Sequence, residues 1–157
     1  MITTTVTVDV VSDVVCPWCF LGMRHLLMAW SKLGPNSIDL HWRPFQLDPT
    51  IPATGLDRQQ YMLSKFGSAE RIKAAHDRLK EFGKAAGIAF NFDAITIAPN
   101  TLAAHRLIHW AGTLGAEAQT RLVGALFRAY FEEGRNIGDH ETLLVIVSEL
   151  GMNTAHA

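Results

Sequence analysis

The stretch DVVSDVVCPWCFLGMRHLL, residues 9–27, spans the junction between a predicted strand and a predicted helix. Residues 4–15 are rich in Val and Thr, which predicts a first strand buried on both faces of a sheet. After Cys16, a helix is indicated by apolar residues at helical intervals and by a Gly-Pro stop, namely Phe20, Leu21, Leu27, Met28 and Trp30, then Gly34 and Pro35. Both cysteines of the chain lie at this junction.

A second strand follows within SIDLHWRPF, residues 37–45. Apolar and polar residues alternate there with a period of two, and Pro44 ends the regular pattern. A strand, a helix and a strand with this spacing predict a βαβ unit whose two strands are parallel.

From about Leu56 onward the pattern is helical. Polar caps and closing glycines predict helices within 68–87, 100–115, 116–134 and 139–150, with Ser68, Asn100 and Asp139 as caps. The segment LLVIVSEL, residues 143–150, also fits a third strand, but its cap and the following glycine favour a helix. No internal repeat or low-complexity linker interrupts the chain.

Size and charge narrow the classes of function. The 157 residues suit one folded domain, and a net charge of −1 without a Lys/Arg cluster argues against nucleic acid or anionic lipid as partners. No apolar run is long enough to span a membrane, and the first residues lack the features of a secretory signal. We therefore expect a cytoplasmic protein, in which a cysteine pair serves redox chemistry or metal binding rather than structure.

The spacing of the cysteines favours redox chemistry. At the helix start Cys16 falls near the N-cap and Pro17 at the first helical position, where its missing N–H costs nothing. Free amides and the helix dipole are expected to lower the pKa of Cys16, making it the nucleophile, and Cys19 lies one turn later as the resolving thiol. This exchange needs no cofactor.

Two alternatives to redox chemistry stay open. The cysteines also fit small buried apolar residues, although burial explains neither their spacing nor their place at a strand-to-helix junction. Zinc binding would need further ligands such as His105 and His109, which are four apart on one predicted helix. Their distance along the chain from Cys19 is far greater than in compact zinc motifs, so we expect no metal site.

Four segments together resemble a known family: SDVVCPWCFLG, HWRPFQLDP, PNTLAAHRL and LFRAYFEEGRNIGD. They are similar to the DsbA-like thiol-disulfide oxidoreductases of the FrnE branch, which share a scaffold with 2-hydroxychromene-2-carboxylate isomerases and kappa-class glutathione transferases. The resemblance implies an α/β, thioredoxin-like fold with a helical domain inserted after the first βαβ unit. Residues 1–55 would form the thioredoxin-like part, and residues 56–157 the helical domain.

The resemblance also implies a site and a chemistry. Cys16 would attack protein or small-molecule disulfides and Cys19 would resolve the intermediate, with glutathione as a redox partner. The alternative is a glutathione-dependent isomerase or kappa-class-like transferase acting on small aromatic substrates, although those branches carry a serine in place of Cys16. Candidate substrate contacts are Pro17, Trp18, Asn100 and Phe131. For Phe131 core packing is the competing role, and for Asn100 helix capping. Thr101 and Arg106 match positions near the cleft of these relatives.

The resemblance implies further elements after the helical insertion. Family members continue into a helix, a strand pair and a turn with a cis proline, and none of the six prolines of this sequence occupies that position. We therefore expect the C-terminal ββα part to be missing from this chain. The parallel sheet would then have an exposed edge, which invites association, including a homodimer.

Overall fold

A computed structural model describes residues 5–157, apart from the side chain of His156. The chain begins with strand β1 (Val6–Ser12), helix α1 (Pro17–Leu33) and strand β2 (Ile38–Pro44). The strands are parallel, with Val8 opposite Leu40 and Val10 opposite Trp42. The predicted βαβ unit is confirmed.

Strand β1 is shorter and more exposed than expected. Of the predicted range 4–15, Thr4 lies outside the described residues, and residues 13–15 form the turn into α1. Val8 and Val10 pack on the core, whereas Thr7, Asp9 and Val11 are exposed. The expectation of burial on both faces is wrong, because the core of the described part of the chain lies on only one face of this two-stranded sheet.

Five helices make up most of the remaining chain: α2 (Arg58–Phe66), α3 (Ala69–Ala86), α4 (Leu102–Leu114), α5 (Ala116–Phe131) and α6 (His140–Glu149). The caps predicted at Ser68 and Asp139 are confirmed, since their side chains accept from the amides of Arg71 and Thr142. Residues 143–149 are helical, so the strand alternative for this segment is wrong. Two short 3₁₀ turns, Phe92–Ala94 and Thr154–His156, complete the set.

A small second sheet was absent from the sequence prediction. Strand β3 (Leu56–Asp57) pairs antiparallel with strand β4 (Ile97–Ala98). Two residues are too few to show a period of two, and the partners are far apart in sequence, so no local pattern indicates this pairing. The pairing fixes the start of α2 next to the segment that leads into α4.

The core joins the βαβ unit to the helices. Helices α4 and α5 pack against β2, and α1 packs against α3 and α5. Phe20 of α1 stacks on Phe127 of α5 with ring centroids 5.0 Å apart. The buried amide of Gln119 accepts from the Trp42 backbone N–H at 2.9 Å and donates to the Ile108 carbonyl at 3.1 Å. Residues on both sides of the predicted boundary at 55/56 thus share one core, and the division into two domains stays a prediction.

Among the described helices, none combines the length and the apolar character that a bilayer crossing requires.

Candidate active site

The two cysteines lie at the first turn of α1. Cys16 is the N-cap residue, with an extended backbone (φ −93°, ψ 111°), and its Sγ accepts from the backbone N–H of Cys19 at 3.3 Å. Pro17 occupies the first helical position, as predicted. Both thiols are free and half-buried, and Cys19 packs against the core.

The pKa values of the two thiols are split by their contact with each other. The interaction with Cys16, assisted by the backbone of Asp13, lowers the pKa of Cys19 to about 6. The same interaction, together with burial, raises the pKa of Cys16, against the opposing effect of the helix amides of Cys19 and Trp18. The expectation of a lowered pKa at Cys16 is therefore wrong for this geometry, because the thiol–thiol contact outweighs the helix amides. The pair holds one acidic thiol near neutral pH.

A buried carboxylate anchors the turn that carries the cysteines. Asp13 is 2% exposed; its Oδ1 accepts from Nε2 of His105 at 3.0 Å and its Oδ2 from the Leu47 amide at 2.8 Å. The Asp13 carbonyl accepts from the Cys16 N–H at 3.0 Å. One residue thus connects α4, the loop after β2 and the N-cap of α1. Asp13 was not predicted as a site residue, although an acidic residue inside an apolar run three positions before Cys16 was an available signal.

The histidines considered as zinc ligands lie elsewhere. His105 is buried against Asp13, and His109 is exposed. Among the side chains that the structure describes, which leave out His156, those of His, Cys, Asp and Glu form no group of three or more that could hold a metal ion.

An exposed aromatic pair borders the cysteines. Trp18 is 53% exposed, and its ring lies 5.9 Å from that of Phe82 on α3, which is 47% exposed. The guanidinium of Arg78 lies 5.7 Å from the Phe82 centroid. Trp18 and Phe82 therefore form an exposed aromatic surface beside the cysteines, and a substrate contact at Trp18 stays a prediction. Phe82 and Arg78 were missed, because nothing in their local pattern relates them to residue 18.

Two other predicted substrate contacts, Phe131 and Asn100, interact with residues of the protein itself. Phe131 is 1% exposed and packs among Phe20, Phe90 and Tyr130, so its expected place in an apolar rim is wrong and core packing is its role. Asn100 donates to the Ile51 carbonyl at 2.6 Å and accepts from the Leu102 amide at 2.9 Å.

Asn100 does cap a helix-starting amide, but the helix begins one residue later than predicted. Thr101 is the N-cap residue by position and is buried, while Arg106 is exposed. Asn100 also accepts from Gln46 at 3.2 Å. These bonds fasten the loop after β2 to the start of α4, which accounts for Asn100 without a substrate.

A small polar cavity of about 110 Å³ adjoins the strand end that leads into the motif. It is lined in part by Asp13, Val15, Asp48, Arg58 and Tyr61. Hydrogen bonds from Thr50, Tyr61 and Lys65 hold the pKa of Asp48 well below its usual range. The cavity has room for a few waters rather than a substrate.

The sequence of residues 7–157 matches the model of the family described as the DSBA-like thioredoxin domain. The chain belongs to this family. A curated relative, the uncharacterized protein YwbO of Bacillus subtilis (strain 168), is 30% identical over 153 residues, which are 96% of this chain and 69% of the relative.

Solved structures agree with this DsbA-like assignment. The "probable DsbA oxidoreductase SCO1869" of Streptomyces coelicolor is 26% identical with a TM-score of 0.81, over 94% of this chain and 64% of that one. The cytosolic disulfide reductase DsbM of Pseudomonas aeruginosa, solved with GSH, has a TM-score of 0.59 at 20% identity, over 94% of this chain and 66% of that one. The chain thus spans less than two thirds of the length of both solved relatives and has the same thioredoxin-like, mixed α/β fold.

Proposed function

We propose that this DsbA-like protein is a thiol-disulfide oxidoreductase of the FrnE branch, with Cys16 as attacking thiol and Cys19 as resolving thiol. The observation that carries the proposal is the placement of two free, half-buried thiols at one helix start, where the Cys19 N–H donates to Sγ of Cys16 at 3.3 Å. The interaction of the two thiols lowers the pKa of Cys19 to about 6. A thiolate near neutral pH, with a second thiol in contact, is what disulfide exchange requires.

The roles follow from the surroundings of each sulfur. Cys16 is the half-buried N-cap residue of α1, and the Cys19 N–H donates to its Sγ at 3.3 Å, so the helix start stabilises a thiolate at Cys16. Cys19 packs against the core. Its thiolate can take the proton of Cys16 through the thiol–thiol contact, which moves the negative charge to the sulfur that the helix amide stabilises.

The exchange balances in two steps. The Cys16 thiolate attacks one sulfur of the substrate disulfide, so a mixed disulfide forms and one substrate thiolate leaves. That thiolate takes the proton of Cys19, and the Cys19 thiolate attacks Sγ of Cys16, which releases the second substrate thiolate. The protein ends with a Cys16–Cys19 disulfide, and the substrate has gained two electrons. Reversal of these steps oxidises a dithiol.

The proposed substrates are protein or small-molecule disulfides, with glutathione as the redox partner that returns the pair to its starting state. The exposed Trp18–Phe82 pair beside the cysteines favours a substrate with apolar groups near its disulfide. The proposed location is the cytoplasm, which is supported by the half-buried free thiols and by the fold shared with DsbM, a cytosolic disulfide reductase.

Trapping of a mixed disulfide tests the roles. Insulin is incubated with reduced wild type, Cys16→Ser and Cys19→Ser, and the products are separated without reductant. We expect Cys19→Ser to accumulate a covalent adduct through Cys16, and Cys16→Ser to form little adduct and to lose insulin reduction. An adduct that forms with Cys16→Ser but not with Cys19→Ser would reverse the two roles.

A second pair of measurements distinguishes the proposed oxidoreductase from the alternative, a glutathione-dependent isomerase or transferase. The alternative predicts thermal stabilisation by reduced glutathione without insulin reduction by the wild type. The oxidoreductase predicts insulin reduction in the presence of dithiothreitol. Absence of reduction together with stabilisation by glutathione would reject our proposal.

A further inference from the structure

Arg58, the first residue of α2, is a buried cation without an acidic partner. It is 9% exposed, and within residues 5–157 no carboxylate oxygen lies within the 4.0 Å of an ion pair. Its neighbours are the ring of Phe92, 5.9 Å from the guanidinium, and the hydroxyl of Tyr130. Arginine is rarely buried without a counter-charge, since desolvating an unpaired charge is costly. A buried guanidinium of this kind indicates a place for an anion.

Arg58 lines a cavity of about 660 Å³ between α2, α3 and residues 92–96. This volume lies within the range of roughly 300 to 1,000 Å³ found for small-molecule sites. Apart from its charged residues, the lining is largely aliphatic, with contributions from Met62, Leu63, Ile72 and Ile95. The cavity therefore offers apolar surface next to a cation.

A second polar group in the cavity also lacks a partner. His76 of α3 stacks on Phe92, with centroids 4.0 Å apart and planes 8° from parallel, and its buried Nε2 has no hydrogen-bond partner in the structure. Lys80 follows one turn later on α3, lines the same cavity and forms no ion pair with a described residue. Arg58, His76 and Lys80 thus bring two cations and a residue with one buried, unpartnered ring nitrogen to the lining of the same cavity.

The carboxylates of the lining do not neutralise these cations. Asp77 is paired with Lys73, Asp57 accepts from the Gln60 amide at the start of α2, and Asp93 is exposed. The formal charges of the lining sum to zero, but Arg58 forms no ion pair with a described residue. Arg58 also lines the small cavity that contains Asp13 and Asp48. The Asp13 carboxylate is bonded to His105 and the Leu47 amide, and the Asp48 carboxylate to Tyr61 and Lys65.

We propose that this cavity binds a small organic carboxylate with an aliphatic body, whose carboxylate pairs with Arg58 and Lys80 and bonds to Nε2 of His76. The site is separate from the cysteine pair. It adds a ligand-binding function that disulfide exchange does not require.

His76 provides an internal probe of occupancy. Burial, Arg58 and Lys80 lower the pKa of His76 to about 4, and Asp77 and Asp93 oppose that shift. A bound carboxylate beside Nε2 would favour the protonated ring, so the pKa of His76 must rise when the site is filled. The group is then neutral at pH 6 in the free protein and takes up protons in the complex.

Hexanoate is the probe, titrated into the reduced 157-residue protein by calorimetry, with hexanamide as the neutral control. We expect saturable binding of hexanoate and none of hexanamide. Loss of a charged hydrogen bond predicts roughly ten- to hundredfold weaker binding in Arg58→Gln, with a smaller loss in Lys80→Gln. Lys84→Gln, on α3 but outside the cavity lining, should bind as the wild type does.

NMR titration of the His76 ring gives a second readout, which holds even if Arg58→Gln does not fold. Above about pH 5.5, where hexanoate is ionised, the ring should titrate only when hexanoate is present. Binding by Cys16→Ser should equal that of the wild type, which separates this site from the exchange function. The proposal is overturned if hexanoate does not saturate, if Lys80→Gln and Lys84→Gln bind alike, if the His76 resonance is unchanged, or if inorganic phosphate binds as tightly as hexanoate.

Discussion

The βαβ unit and the helical part of this DsbA-like chain differ in how they use their apolar residues. In β1, Val11 is exposed and only one face packs on the core, and Trp18 projects from the start of α1. In the helical part, Phe127 and Phe131 are fully buried in an aromatic cluster. The first region carries the two thiols, and the second contributes most of the buried side chains of the core.

Contacts between the two regions position the turn that carries the thiols. His105 of α4 holds Asp13, Phe82 of α3 contacts Trp18, and Arg24 of α1 donates to the Ala86 and Gly87 carbonyls at 3.1 and 3.2 Å. A short βαβ unit is therefore given a defined active-site turn by residues far away in sequence. Four experiments test this difference between the βαβ unit and the helical part.

The largest effect is expected in the aromatic cluster. Phe131→Ala should lower the free energy of unfolding by about 3–5 kcal/mol, because it removes a buried ring and leaves a cavity. Phe82→Ala is the matched control, for which we expect about 1 kcal/mol or less, since that ring is half exposed. Urea unfolding measures both. Equal losses would show that burial in the aromatic cluster is not the main source of stability in the helical part.

The next effect is expected at the contact between the regions. Asp13→Ala should cost about 3 kcal/mol, because it leaves His105 and the Leu47 amide buried without their acceptor. Asp9→Ala, on the same strand, removes an exposed pair with Arg43, N–O distance 2.7 Å, and should cost about 1 kcal/mol or less. Similar unfolding midpoints for the two variants would mean that the Asp13–His105 contact does not couple the regions.

The pH dependence of alkylation tests the Cys16–Cys19 pair alone. With a thiol pKa of about 6, alkylation of the reduced protein by iodoacetamide should slow about tenfold per pH unit below that value and level off above about pH 7. The direction follows because the thiolate is lost as pH falls. Cys19→Ser removes the thiol that titrates near 6 and the contact that raises the pKa of Cys16, so the midpoint of alkylation should move to the ordinary thiol value of about 8.5. An unchanged midpoint would show that the helix amides, and not the thiol pair, set the acidity.

The smallest effect is expected at the exposed aromatic pair. Phe82→Ala should raise the KM for insulin by roughly two- to tenfold, with kcat little changed, because an aromatic contact contributes about 0.5–1.5 kcal/mol to binding. Phe66→Ala, an exposed phenylalanine on α2, serves as control and should leave KM unaltered. If both variants behave alike, the helical part does not contribute to substrate contact through Phe82.

The sequence predicted those parts of the fold that depend on local patterns. The cap of α3 at Ser68 and its end at Gly87, which has φ +71°, follow from local chemistry and were correct. The parallel pairing of β1 with β2 follows from strand–helix–strand order. The β3–β4 pair was not predicted because two-residue strands show no periodic pattern. Strand β1 is less buried than predicted, because its Val content does not indicate how many faces of the sheet pack against the core.

The features of the site that were predicted correctly also depend on local sequence patterns. Pro17 at the first helical position and Cys16 at the N-cap were correct because a helix start is a local event. Phe131 was misplaced because helical spacing alone does not distinguish a rim from a core position.

The spacing of two thiols across a proline at a strand-to-helix junction was sufficient to place them at one helix start, since that arrangement involves only neighbouring residues. Which thiol is acidic, which carboxylate anchors the turn and which aromatic ring meets Trp18 were decided by the tertiary structure. Desolvation and contacts such as Asp13–His105 depend on which distant residues pack against each group. Asp13 and His105 are 92 positions apart, so no local sequence pattern indicates that they are in contact.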